Sequence, residues 1–173
     1  MRLFLKALSA TILLAFNANL CSCAGYHLGG AKPEGLQEIQ LIYLPMVDNK
    51  TQEIKLAAQA TNSLARFINN DGSYQVSTPA QSDATLRVVI EKIDYREFRS
   101  SRLDTLLAEE LTANIIATWQ LVDNQSRVLL SGESNGETRF FVADNQRLSR
   151  DNSMSDAIDD LSRKITSRIS NGF

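Results

Sequence analysis

Through the middle of the chain, apolar residues fall on every second position for unusually long stretches. From Leu111 to Val122, Leu111, Ala113, Ile115, Ala117, Trp119 and Leu121 share one phase, opposed mainly by Thr112, Asn114, Thr118 and Gln120. Such alternation predicts a strand with one face in the core and the other wet or against a polar surface. Ala84 to Phe98 begins with Leu86, Val88 and Ile90 on one face, then shifts to Val89, Ile93 and Tyr95 on the other. That switch predicts a bulge, a bend or burial on both faces. Asp123-Asn124-Gln125-Ser126 reads as a hairpin connection, and Arg127 to Val142 follows with Val128, Leu130, Phe140 and Val142 in phase. A strand of about 15 residues spans roughly 50 Å, well beyond the usual five or six residues.

The flanking segments are shorter or change period. Leu36 to Leu44 alternates around Ile39, Leu41 and Tyr43 before Pro45, which suits a first strand. Asn49 to Thr51 offers cap chemistry, after which Ile54, Ala57, Ala58, Thr61, Leu64, Ala65 and Ile68 recur at helical spacing, with Leu56, Ala60 and Phe67 widening the stripe. Asn69-Asn70-Asp71-Gly72 should stop this helix, and Tyr74 to Val76 could add a short extended piece. Ser153 with Asp156 resembles a capping box opening a last helix, whose stripe is Met154, Ala157, Ile158, Leu161, Ile165 and Ile169. The order β-α-(β)-β-β-β-α has too few helices to cover both faces of a parallel sheet. It predicts an α+β fold: a four-stranded, mostly antiparallel or mixed sheet with both helices on one face. The other face is left for a partner.

The first residues change the picture. Arg2 and Lys6 precede an apolar run from Ala7 to Phe16, then small and polar residues lead into Cys21-Ser22-Cys23. This is the order of a secretion signal, and the run is far short of the roughly 20 residues a membrane-spanning helix needs. Leu20-Cys21-Ser22-Cys23 resembles the lipobox of bacterial lipoproteins, whereas a cut before Cys21 would set bulky Leu20 beside the scissile bond. The expected organisation is therefore a signal peptide over 1–22, a tether over 23–35 lipidated at Cys23, and a single domain over 36–173. Cleavage there leaves 151 residues, no pair of cysteines for a disulfide, and 16 basic against 20 acidic residues. The fold must rest on its core. An acidic domain lacks the positive field that nucleic acid requires, so no nucleic-acid partner is expected.

Enzyme chemistry finds few parts. The sole histidine, His27, lies four residues from Cys23, away from any positioned nucleophile. No Cys/His cluster suggests a metal or cofactor beyond the covalent lipid. Glu109-Glu110 and Asp159-Asp160 are neighbours in sequence whose side chains diverge, and Gly29-Gly30 neither follows a strand nor opens a helix. Two basic clusters are more informative. Arg96, Arg99 and Arg102 flank Tyr95 and Phe98, while Arg139, Arg147 and Arg150 surround Phe140 and Phe141. Guanidinium beside aromatic rings suits a phosphorylated amphiphile, although solvated arginines at strand ends are the plainer reading.

Cys23-Ala24-Gly25-Tyr26-His27-Leu28 resembles the Cys-Gly-Tyr-x-Leu opening of the lipopolysaccharide-assembly lipoprotein family LptE, with Ala24 as an insertion. The Ile39–Leu44 strand, the helix from Glu53 to Ile68, Asp71-Gly72-Ser73-Tyr74-Gln75-Val76, Ser82-Asp83-Ala84-Thr85-Leu86, Trp119-Gln120-Leu121-Val122-Asp123 and the last helix follow that family's order. The Phe98–Leu111 connection is longer than in compact members. The resemblance implies a non-enzymatic lipoprotein, anchored in the outer membrane and facing the periplasm. It would help the LptD β-barrel assemble and deliver lipopolysaccharide to the outer leaflet. The six arginines are the candidate lipopolysaccharide contacts on the charge argument, because an acidic domain has few other fixed cations for phosphate. An accessory or anchoring lipoprotein of another envelope transport system is the alternative.

Overall fold

The three long alternating segments form the centre of the fold. The computed structural model describes the backbone of residues 32–100, 108–141 and 146–172, and side chains for the same residues except 97–100, 108–109, 141 and 146–152. In chain order the elements are β1 (Leu41–Tyr43), β2 (Asp48–Asn49), α1 (Leu56–Asp71), β3 (Gln75–Ser77), β4 (Ala84–Ser100), β5 (Ala108–Asp123), β6 (Val128–Phe141) and α2 (Gln146–Asn171). The sheet order is β3-β1-β4-β5-β6, with β2 also paired to β4. β4, β5 and β6 are antiparallel, whereas β1 runs parallel to both β3 and β4, and β2 parallel to β4. The α+β class and the mixed sheet agree with the sequence reading, but six strands replace the expected four. The additional pairings involve segments of two or three residues, too short to carry a period of their own.

Alternation decides which face is buried. Leu86, Val88 and Ile90 stand opposite Leu121, Trp119 and Ala117, and all six are buried. A bulge between Ile90 and Lys92 then returns Ile93 and Tyr95 to the same face, opposite Ile115 and Ala113, leaving Val89 on the other side. The phase switch in the sequence is thus a bulge, and Ile93 and Tyr95 do not join Val89. Val142 of the expected third strand lies outside the described residues.

Both helices cover this apolar face. On α1 the buried stripe is Leu56, Ala60, Leu64 and Ile68; Ile54 lies before the helix and is 92% exposed, contrary to its expected place in the stripe. Asn49 and Thr51 do not cap α1. The Asn49 side-chain oxygen accepts from the Thr51 N–H, and the Thr51 hydroxyl accepts from the Glu53 N–H, so this chemistry builds the preceding turn. Gly72 ends α1 with φ of 82°, a left-handed conformation that costs glycine little. Met154, Ala157, Ile158, Leu161, Ile165 and Ile169 of α2 are buried as the stripe predicts. The helix begins at Gln146, however, so buried Ser153 is internal and not its cap; no Pro or Gly lies between them to stop the helix sooner. α2 lies so close to β6 that a Cβ on Gly136 would sit 1.9 Å from the Ala157 carbonyl oxygen.

β1, β2 and β3 flank only the first part of β4, up to Ile90. We call this end the root. There the Asp83 carboxylate accepts the Gln40 and Leu41 N–H groups, each at 2.9 Å, and the Leu41 bond, then that of Gln40, holds its pKa below the usual carboxylate range. Buried Tyr74 donates its hydroxyl to the Ile169 carbonyl at 2.9 Å; burial, then Asp71, pushes its pKa up to about 12. Lys32 also reaches this end, 2.6 Å from the Ile39 carbonyl and 4.6 Å from the Tyr74 ring. Beyond Ile90 the sheet narrows to β4, β5 and β6, which form the tip.

Candidate interaction surface

The sheet face away from the helices is polar, and the register of its strands arranges it in rows. Arg87, Gln120 and Ser131 form one row, Asp94, Asn114 and Glu137 another, and Arg96, Thr112 and Arg139 a third. Side chains tie neighbouring strands together: Asn135 donates to Asn114 at 2.9 Å and Thr118 to Glu91 at 3.0 Å. Lys50 pairs with Glu91 at 2.7 Å and Lys92 with Asp94 at 2.9 Å. A groove of about 440 Å³ crosses the root of this face, bordered by Asp48, Arg87, Val89, Thr118, Gln120 and Glu133 among others. Asp48 and Glu133 are both exposed at its border.

The two arginine clusters converge in part. Arg96 on β4 and Arg139 on β6 share a row on either side of Thr112, about 10 Å apart at two strand spacings. Both are exposed, and Arg96 forms no ion pair among the described residues. Arg99 pairs in register with Glu110 further toward the tip; its side chain, like those of Arg147 and Arg150 on the first turns of α2, lies outside the described residues. Arg102 and Cys23 lie outside them entirely. Asp159 and Asp160 diverge as their spacing predicts. Asp159 accepts from Ser63 and pairs with Arg66, each at 2.6 Å, while Asp160 accepts the Glu137 N–H at 3.1 Å.

Asp160 begins a feature that sequence reasoning missed. β6 is an edge strand, and its outward backbone groups are met by α2: the Glu137 N–H by Asp160, the Asn135 carbonyl by Lys164 at 2.9 Å, and the Glu133 carbonyl by Arg168 at 2.5 Å. Four helical residues advance about 6.0 Å and two strand residues about 6.6 Å, so a charged stripe at i, i+4, i+8 keeps step with every second strand position. The i, i+4, i+8 charges were visible in the sequence; that β6 is an edge was not. Burial pushes the Asp160 pKa up, but Lys164, the Glu137 N–H and Arg163 more than offset this and leave it below the ordinary value.

A helix-backed mixed sheet with a long antiparallel extension is a fold shared with bacterial lipoproteins. A lipoprotein structure from Caulobacter crescentus aligns at 13% identity over 75% of this chain and 87% of that one, with a TM-score of 0.54. Lipoprotein B of Nitrosomonas europaea gives 18%, 86%, 94% and 0.51, and the PelC dodecamer of Paraburkholderia phytofirmans 16%, 82%, 94% and 0.52. At these identities the likeness is one of fold. The particular family comes from the sequence itself: the chain belongs to the LptE lipopolysaccharide-assembly family, whose pattern matches residues 39–171. No individual curated sequence matches it. LptE is a non-enzymatic family, and no helix among the described residues is long and apolar enough to cross a membrane.

Proposed function

We propose that this protein is an outer-membrane lipoprotein, acylated at Cys23 after removal of residues 1–22, that assists assembly of an LptD-like β-barrel and delivery of lipopolysaccharide to the outer leaflet. The family match over residues 39–171 carries this reading. Ala24 supports the destination, because it is not the aspartate that retains many lipoproteins at the inner membrane. Several acyl chains, each buried methylene contributing about 0.8 kcal/mol, hold far more firmly than one.

Two features of the geometry support a division of labour. The tether leads into Lys32 at the root, and nine residues from Cys23 to Ala31 extend at most about 30 Å. A ribbon of three long strands projects from the opposite end, carrying Arg96 and Arg139 on its open face. In this reading the tip docks within the barrel. Its arginines, with Arg99, Arg102, Arg147 and Arg150 close in sequence, contact lipopolysaccharide phosphates bidentately.

Affinity purification of the native protein should recover a large outer-membrane barrel, and depletion should leave that barrel misassembled and reduce surface lipopolysaccharide. Recovery of no barrel, with parental surface lipopolysaccharide after depletion, sinks the reading in favour of an accessory lipoprotein of another envelope transport system. Mass spectrometry of the mature N-terminus tests the anchor separately: an unmodified Cys23, or a different first residue, removes it.

A further inference from the structure

The groove on the open face holds charges that the fold does not use. Beside it on the same face, Lys50 pairs with Glu91 at 2.7 Å and Lys92 with Asp94 at 2.9 Å. Arg87, Asp48 and Glu133 border the groove, and none of these three side chains forms an ion pair or hydrogen bond among the described residues. The register fixes their places. Asp48, Val89, Thr118 and Glu133 form one row across four strands, and Arg87, Gln120 and Ser131 form the next. Arg87 is therefore two residues along and two strands across from Glu133, about 12 Å between backbones. From Asp48 it is two residues along and one strand across, about 8 Å.

We propose that this groove binds a phosphoethanolamine group, its phosphoryl oxygens on Arg87 and its ammonium against the carboxylates of Asp48 and Glu133. The inference goes beyond the function proposed above and does not depend on it. Its warrant is the mixture of charges in one concavity. A lone anion at Arg87 faces two carboxylates, and a lone cation leaves Arg87 without a partner; a molecule carrying both charges satisfies both sides. The planar guanidinium fork matches phosphoryl oxygens bidentately. A primary ammonium brings three N–H donors, and the groove has acceptors beyond the carboxylates. Thr118 donates its hydroxyl proton to Glu91 at 3.0 Å, which leaves the Thr118 oxygen to accept. Spacing selects further: an α-amino acid carries both charges on one carbon, whereas a two-carbon spacer holds phosphoryl and ammonium groups far enough apart to reach from one row toward the next. The groove's volume of about 440 Å³ falls within the roughly 300–1,000 Å³ of small-molecule sites.

Trp119, the sole tryptophan of the chain, is buried at the border of the groove, so its emission reports occupancy. With the purified protein in a neutral detergent, phosphorylethanolamine should shift that emission, and the amide resonances of Thr118, Gln120 and Ser131, with a millimolar dissociation constant. Inorganic phosphate, ethanolamine, glycine and phosphorylcholine, whose quaternary ammonium has no N–H, should each bind about tenfold more weakly or not at all. Arg87→Gln should remove the response. The double variant Asp48→Asn/Glu133→Gln should bind inorganic phosphate at least as well as phosphorylethanolamine, and both variants should keep parental melting. Phosphatidylcholine nanodiscs identify the source. Added phosphatidylethanolamine that reproduces the shift and abolishes the response to the soluble compound makes the ligand a lipid headgroup; a response to the soluble compound alone makes it a free phosphoethanolamine. No response up to about 50 mM, equal binding of inorganic phosphate or phosphorylcholine, or parental binding by Arg87→Gln each overturns the proposal.

Discussion

Root and tip of the β4–β5–β6 ribbon are written in the same alternating code but end in different settings. At the root, Leu86, Val88 and Ile90 lie beneath the helices with β1, β2 and β3 alongside, and exposed backbone groups are tied by Asp83, Tyr74 and Arg168. Past the bulge at Ile90 the burial thins along β4, where Ile93 is half-buried and Tyr95 is 40% exposed, while Ala113 and Ile115 of β5 stay buried and Arg96 and Arg139 are exposed on the polar face. Strand alternation thus reports which face is apolar and not how far along each strand the core extends. The helices cover the root and the apolar face of β5 beyond it, and the tip keeps an open polar face.

The largest losses of stability are expected at the seam between α2 and the ribbon. Leu161 is 1% exposed, and truncating it to alanine should cost about 2–5 kcal/mol. Gly136→Ala should be destabilising by at least the ~1–3 kcal/mol of an overpacked core, because its new methyl group meets helix backbone that cannot rotate away. Denaturant melts check both; parental stability in either would misplace the core face. Tyr74→Phe comes next. It leaves the Ile169 carbonyl buried without its partner, which should cost about 1–3 kcal/mol in the same assay.

Much of the core was legible in advance. Leu64, Ile68, Leu161 and Ile165 are buried because a 3.6-residue stripe leaves little choice of face. The alternation of β5 is reproduced from Leu111 to Leu121. Sequence could not reveal that β1 runs parallel to β3 and β4, since strand direction follows from the α1 crossover and not from three residues of pattern. Ile54 misled for a related reason: helical spacing continues upstream of α1, but the Asn49–Thr51–Glu53 turn diverts the chain before the helix begins. At the tip, the arginines were visible as clusters in sequence, and only the three-strand register sets Arg96 and Arg139 in one row.

Acid should loosen one point in each region. Asp83 and Asp160 have lowered folded-state pKa values, so each contributes stability that is complete above the ordinary carboxylate pKa of about 4 and is lost as pH falls through the folded value. Hydrogen exchange below about pH 4 should speed up first at the Leu41 and Glu137 amides that these carboxylates bind, and Asp160→Asn should remove the pH dependence at Glu137. Unchanged exchange at both amides down to pH 2 would contradict the assigned roles. The smallest effect on stability belongs to the tip: Arg139→Glu should alter folding by no more than about 0.5 kcal/mol. On the proposed function, the same change weakens lipopolysaccharide binding about tenfold or more. Loss of folding with binding intact would reverse the comparison.

The division between a supporting root and a docking tip is tested most directly by photo-crosslinking in living cells, with a photoreactive residue placed either at position 139 in the tip or at Gln125 in the root turn. Position 139 should yield a high-mass adduct that mass spectrometry identifies as an outer-membrane barrel, while position 125 should yield little or none. A barrel adduct from position 125 alone, or none from either position, would contradict the account.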